Sequence, residues 1–220
     1  ILIHAFPLSS KMWDSQVEYF RDKFNLFTYD IRGLGQSYTK DYIQTMESYT
    51  NDFLSIIDDL NLKNVSVCGL SMGSYIAQRA AIKSPAKFSA VILAASRSER
   101  DDDKGILNRS NTIIEIKSGG RETFTNTFIK NLISANSYSK PEIINFLKGI
   151  IDSNSSEGIC SAEIALATRT NTLEEYSKLD IPTLILVGSE DILTPINFSE
   201  KMHESFKNSI LKIIPNAGHL

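Results

Sequence analysis

Among the groups able to attack a carbonyl carbon, one serine is marked out by its neighbours. In VSVCGLSMGSYIAQRAA, Val65 to Ala81, Ser71 stands between Gly69 and Gly73 where an apolar run hands over to a helical pattern. A strand-to-helix turn of the form Gly-x-Ser-x-Gly holds its serine in a strained backbone conformation with the hydroxyl exposed. Glycine flanks it because a side chain at either place would strike the neighbouring helix or strand. The pattern is short, and a plain tight turn would read the same way, so the rest of the constellation has to decide.

A serine hydroxyl needs a base to take its proton, and the chain offers 3 histidines. His4 ends the first apolar run in HAFP, ahead of the serine, and is assigned to shaping that loop. His203 lies in PINFSEKMHESF, off the stripe of Phe198, Met202 and Phe206, which makes it a surface residue. His219 follows ILKIIP in the loop NAGHL; a loop past a strand end reaches the top of a sheet, so His219 is the expected base. The base in turn needs a carboxylate to hold its tautomer and stabilise the imidazolium. The segment IPTLILVGSEDILTP runs a buried strand into Glu190 and Asp191, and Ser71, Asp191, His219 is the serine, acid, histidine order of hydrolase elbows. Glu190 competes on spacing alone, one of the pair being readable as a helix N-terminal charge before Pro195. Asp191 is the expected partner.

These groups must be carried by an alternating framework. Short β-rich runs occur at 1–4, 25–29, 65–69, 88–94, 183–188 and 210–214, with helical patterns between most of them. From Met46 to Leu60, Met46, Tyr49, Phe53, Ile56, Ile57 and Leu60 make one helix face. Strands separated by helices predict an α/β fold with a mostly parallel sheet flanked by helices. From Ser96 to Leu179 the sequence becomes charged and rich in Asn and Ser, with helical periodicity and no convincing strand. This predicts a core of residues 1–95 and 179–220 with a helical cap over 96–178. The cap opens on SRSERDDDKG, which reads as a solvated face. In DIRGLGQS, Gly33 and Gly35 permit a tight turn and Arg32 is expected to pair locally; the segment lacks the lysine and spacing of a phosphate loop.

Composition narrows the partners. With 220 residues, 42% hydrophobic content and a net charge of -3, the chain can bury a core and carries no electrostatic invitation to nucleic acid or an anionic membrane. A small-molecule substrate is expected. Cys68 and Cys160 are too few for a disulfide framework, Cys68 reading as a buried free thiol, which favours a reducing, cytoplasmic setting. No apolar run approaches the roughly 20 residues that span a bilayer. Scattered histidines and no Cys/His cluster predict no metal site. The chain opens in mid-strand at ILIH and stops in a loop, so further segments of the protein are expected outside it.

Taken together, LIHAFPLSSKMWDSQVEYF, YDIRGLGQS, CGLSMGSYIAQ, LVGSEDILTP and NAGHL closely resemble the alpha/beta-hydrolase superfamily across essentially the whole core. GLSMGSYIAQ and ILAASRSERDD are similar to the branch containing 3-oxoadipate enol-lactonases and related small-molecule esterases. The resemblance implies a helical cap after the strand at 88–94, and family core strands and a final helix that lie outside this sequence. It implies an oxyanion hole made by the backbone N–H groups of Met72 and Phe6. The family commonly has glycine where this chain has Ala5, so the extra methyl is expected to alter the loop or narrow the pocket. Trp13 and Phe6 read equally as pocket lining or plain core. The activity implied is that of a serine hydrolase that cleaves an ester, lactone or related acyl bond without a cofactor. A dehalogenase would need a carboxylate in place of Ser71. The rival reading is a ligand-binding signalling or receptor-type member with little turnover; a non-catalytic scaffold is the weaker idea. A peptidase would want acidic cap residues facing a substrate amine, for which Glu142, Glu157 and Glu163 are available.

Overall fold

The computed structural model describes residues 1–39 and 43–220. The first part of the chain runs β1 (Leu2–Ile3), α1 (Asp14–Phe20), β2 (Thr28–Tyr29), α2 (Met46–Asp59), β3 (Val65–Leu70), α3 (Met72–Lys83) and β4 (Phe88–Ala94). Six helices follow without an intervening strand: α4 (Asp103–Lys117), α5 (Arg121–Leu132), α6 (Ala135–Tyr138), α7 (Pro141–Ser153), α8 (Ser156–Ala167) and α9 (Leu173–Ser177). The chain then returns to the sheet with β5 (Thr183–Gly188), α10 (Ile196–Ser205) and β6 (Ser209–Ile214).

The strands form one sheet in the order β2-β1-β3-β4-β5-β6, every neighbouring pair parallel. Parallel pairing forces each connection to cross a face of the sheet, which is why helices separate most of the strands. The expected runs at 88–94 and 183–188 coincide with β4 and β5. The first two strands are shorter than expected. The chain leaves the sheet after Ile3 because residues 5–8 close a turn, the Leu8 N–H donating to the Ala5 carbonyl at 2.9 Å.

The helix α2 begins in a reciprocal capping box between Thr45 and Ser48. Met46, Tyr49, Phe53 and Ile57 of its expected face are buried, whereas Leu60, just past the helix end, is 47% exposed. By contrast α3 is buried on nearly every side, from Met72 to Ala81, because it sits against β3 and β4 and between α2 and α9. Among the described residues no helix is long and apolar enough to cross a membrane. Both cysteines are free thiols; Cys68 is partly exposed as a residue, although burial pushes its thiol up to about 12. In a parallel sheet of this kind the loops leaving the carboxyl ends of the strands gather at one edge, and the candidate site is built there.

Candidate active site

The turn from β3 to α3 is tightly constrained. Ser71 has φ 53° and ψ -113°, in the left-handed half of φ that a side chain adopts only under strain. Its N–H donates to the Ala94 carbonyl at the end of β4 (2.9 Å), and the Ser74 hydroxyl donates to the carbonyls of Gly69 (2.5 Å) and Ala94 (3.1 Å). The flanking glycines are explained by backbone approach. A Cβ on Gly69 would lie 2.3 Å from the Gly73 carbonyl, and one on Gly73 would lie 2.2 Å from the Ile3 carbonyl oxygen. Met72 is the first residue of α3, so its N–H is one of the four donors that no carbonyl within the helix accepts.

Asp191 and His219 come together from loops beyond β5 and β6. His219 Nδ1 lies 2.9 and 3.1 Å from the two Asp191 carboxylate oxygens. A carboxylate only accepts, so Nδ1 carries a proton, and in the neutral ring Nε2 is left with a lone pair. Both residues are buried, at 5% and 4% exposure. The carboxylate is held from the other side by the N–H groups of Leu193 and Thr194, each 2.9 Å from Oδ1, and by the Thr194 hydroxyl, 2.7 Å from Oδ2. Burial alone would raise the Asp191 pKa, but hydrogen bonding and charge at His219, with the Thr194 donors, outweigh it and hold the acid below its usual range. Glu190 is exposed, which removes the competitor. His203 is exposed as well and meets Ser209 Oγ at 2.8 Å. The His219 loop rests on the end of α5: the His219 and Leu220 N–H groups both donate to the Leu132 carbonyl at 2.9 Å. Gly218 allows that approach, since a Cβ there would lie 2.6 Å from the Ser134 nitrogen.

His4 shapes its loop by a specific device. It is fully buried, its Nε2 accepts the Ile31 N–H at 2.9 Å, and its Nδ1 lies 2.9 Å from the Ala5 carbonyl. A backbone N–H can only donate, so His4 is neutral with its proton on Nδ1. Burial pushes its pKa down to about 4, opposed by the Ala5 hydrogen bond and the charge of Asp30. The Ala5 carbonyl, also bonded by Leu8 N–H, belongs to the same planar peptide unit as the Phe6 N–H. Fixing one end of that unit fixes the direction of the other. The Ala5 methyl is buried at 0% exposure and is not part of the cavity wall, so the departure from glycine does not narrow the pocket.

Ser71, His219, Thr194 and Phe6 line one cavity of about 360 Å³. The Phe6 ring meets Phe124 and Phe128 of α5, with centroids 6.4 and 5.5 Å away. Trp13 is core, buried but not on this wall. The far wall comes from α4, α5 and α8 and carries charge. Here the expectation of a solvated SRSERDDDKG face is overturned at its centre. Asp101 is 2% exposed and accepts from Arg97, Arg109 and Arg169, the last at 2.8 Å. Arg109 reaches on to Glu163 at 2.7 Å. Asp102, Asp103 and Lys104 do face solvent. Asp101 is held down to about 2: burial opposes this, but hydrogen bonds and charge from Arg169 and Arg109 prevail. Of the three glutamates considered for the insertion, Glu163 lines the cavity, while Glu142 and Glu157 are exposed elsewhere. Arg32 reaches Asp52 of α2, at 2.8 Å through Nε.

Thr194, Asp101, Arg97 and Arg109 escaped the sequence reading. For Thr194 a signal exists: an Asp followed three residues later by Thr and then Pro is the pattern of a side-chain-closed turn. For the charged group no local signal does, since its members are spread over 97–169.

Comparison with known proteins places the fold. The chain is 27% identical to 3-oxoadipate enol-lactonase 2 of Acinetobacter baylyi over 226 residues, spanning 100% of this chain and 81% of that protein. Its structure superposes with TM-score 0.94 on a thermophilic esterase from Thermogutta terrifontis, at 30% identity over 99% of this chain and 81% of the other. An enol-lactonase from Burkholderia xenovorans has the same fold, with TM-score 0.91 at 20% identity, over 99% of this chain and 82% of that one. The family model for the alpha/beta hydrolase fold matches residues 1–220, and the chain belongs to that family.

Proposed function

We propose that the protein is a serine hydrolase that cleaves a carboxylic ester, lactone or related acyl bond of a small molecule. The observation that carries this reading is the strained Ser71 on the wall of a cavity that His219, paired with Asp191 behind it, also lines. His219 Nε2 takes the Ser71 proton as Oγ attacks the carbonyl carbon, and Asp191 stabilises the imidazolium. The carbonyl oxygen becomes an oxyanion between the Met72 and Phe6 N–H groups. His219 then gives its proton to the leaving oxygen and the acyl-enzyme remains. Water, deprotonated by His219, attacks that ester; collapse returns the proton to Ser71 and releases the acid.

Residues 96–178 act in this reading as a cap over a core of 1–95 and 179–220, and their side chains shape the acyl or alcohol pocket. Relatives named as enol-lactonase and esterase put lactones and short esters first among substrates to try. The test is intact-mass spectrometry after treatment with a fluorophosphonate, beside the Ser71→Ala variant, with turnover of p-nitrophenyl acetate by both. One adduct per chain and hydrolysis that both vanish in the folded variant are expected. Equal turnover by the variant would overturn the assignment.

A further inference from the structure

One buried side chain of the helical insertion grips the loop that carries the Phe6 N–H. Asn154, 5% exposed, lies between α7 and α8. Its Nδ2 donates to the Pro7 carbonyl at 2.7 Å and to the Ile150 carbonyl at 3.3 Å, and its Oδ1 accepts the Gly35 N–H at 2.5 Å. The amide cannot be turned over, because the Gly35 N–H needs an oxygen opposite it and the two carbonyls need a nitrogen. Both amide hydrogens and the oxygen are therefore used. The backbone of Asn154 is fixed too: its N–H donates to the Ile151 carbonyl at 3.0 Å, and its carbonyl accepts from Arg121 Nη2 at 2.9 Å.

Pro7 has no N–H of its own, so the loop at this point can be held only through its carbonyl. The core holds the loop two residues earlier, through His4 on the Ala5 carbonyl. The Phe6 residue thus lies between a clamp from the core and a clamp from the insertion. We infer that Asn154 is a positioning residue for the oxyanion hole, coupling the cap to the donor at Phe6; this rests on the serine hydrolase reading above.

The mark of such a role is a loss confined to the transition state. Asn154→Asp keeps the shape and the acceptor for Gly35 but turns an oxygen towards the Pro7 carbonyl. Losing an oxyanion donor outright costs ~10²- to 10³-fold in turnover. Displacing one is expected to lower kcat on p-nitrophenyl acetate by roughly tenfold or more, with KM within about twofold. The affinity for a phenylboronic acid, whose adduct on Ser71 is tetrahedral and anionic, should fall by the same factor. Should the aspartate variant fail to fold, Asn154→Ala, which introduces no repelling oxygen, gives the same readout. Wild-type kcat and boronate affinity in a folded variant, with only a lowered melting temperature, would reduce Asn154 to a structural residue and overturn the inference. That failure is distinct from failure of the hydrolase reading, in which Ser71→Ala would match the wild type and the inference would fall with it.

Discussion

Acid should weaken this protein through His4 in a window set by that one side chain. Its pKa drops from an ordinary 6.5 to about 4 on folding. Between those values the unfolded chain binds a proton that the folded chain refuses, so stability falls as the pH is lowered, and is unaffected by His4 above 6.5. Each pH unit inside the window costs about 1.4 kcal/mol. From pH 7 down to 4.5 the loss through His4 is therefore roughly 2.5 kcal/mol. The main cause is burial, which penalises the charged ring; a protonated ring would also turn a second N–H donor towards the Ile31 N–H, which it now accepts. Glu163, whose pKa is raised mainly by burial, acts with the opposite sign above its ordinary value of 4.5, inside the same window. The measurement must therefore be a difference between two proteins that share Glu163. Urea unfolding followed by Trp13 fluorescence, for the wild type and the non-titrating His4→Gln at several pH values, isolates the term. The wild type is expected to lose roughly 2.5 kcal/mol more than the variant between pH 7 and 4.5. Parallel stability curves would refute the neutral, single-tautomer clamp.

Two further outcomes follow from close packing and buried charge. Gly73→Ala would set a Cβ 2.2 Å from the Ile3 carbonyl oxygen, where only backbone can yield. A loss on the order of 3 kcal/mol is expected, seen as a melting temperature lower by about 10 °C, together with loss of fluorophosphonate labelling; wild-type values for both would sink the close-approach argument. Asp101→Asn removes the negative charge shared by Arg97, Arg109 and Arg169. Breaking a buried ion group in this way costs about 3–5 kcal/mol; denaturant unfolding that leaves the variant as stable as the wild type would show that the three arginines repartner freely.

The proposed reagents of this site were readable in the sequence because each is announced within a few residues. Two glycines bracket Ser71, a β-rich run ends at Glu190 and Asp191, and a short loop follows the last strand to His219. Those signals are local, and the α/β alternation that places them on one edge is a periodicity. Even there Glu190 and Asp191 fit the chain order equally, and the structure separates them by burial: one is exposed, the other closed in by Thr194 and His219.

What the sequence concealed is the set of contacts that hold the reagents still. Asp101 sits in a run that reads as solvent-facing, and nothing near it tells that Arg169, 68 residues on, will take its carboxylate. Asn154 looks like any helix-ending asparagine, yet it reaches Pro7 across 147 residues and Gly35 across 119. A polar side chain has no periodicity of its own, and its partner is known only once the chain is folded. The division matters for how such an enzyme would vary. In the proposed mechanism Ser71 and Asp191 follow strand ends and the His219 loop leans also on Leu132 of α5, whereas the direction of the Phe6 donor would depend on His4 from the core and Asn154 from the insertion. On that reading, changes in the helical insertion tune the hole without touching Ser71, Asp191 or His219, and the Asn154 substitutions put the proposed coupling directly under measurement.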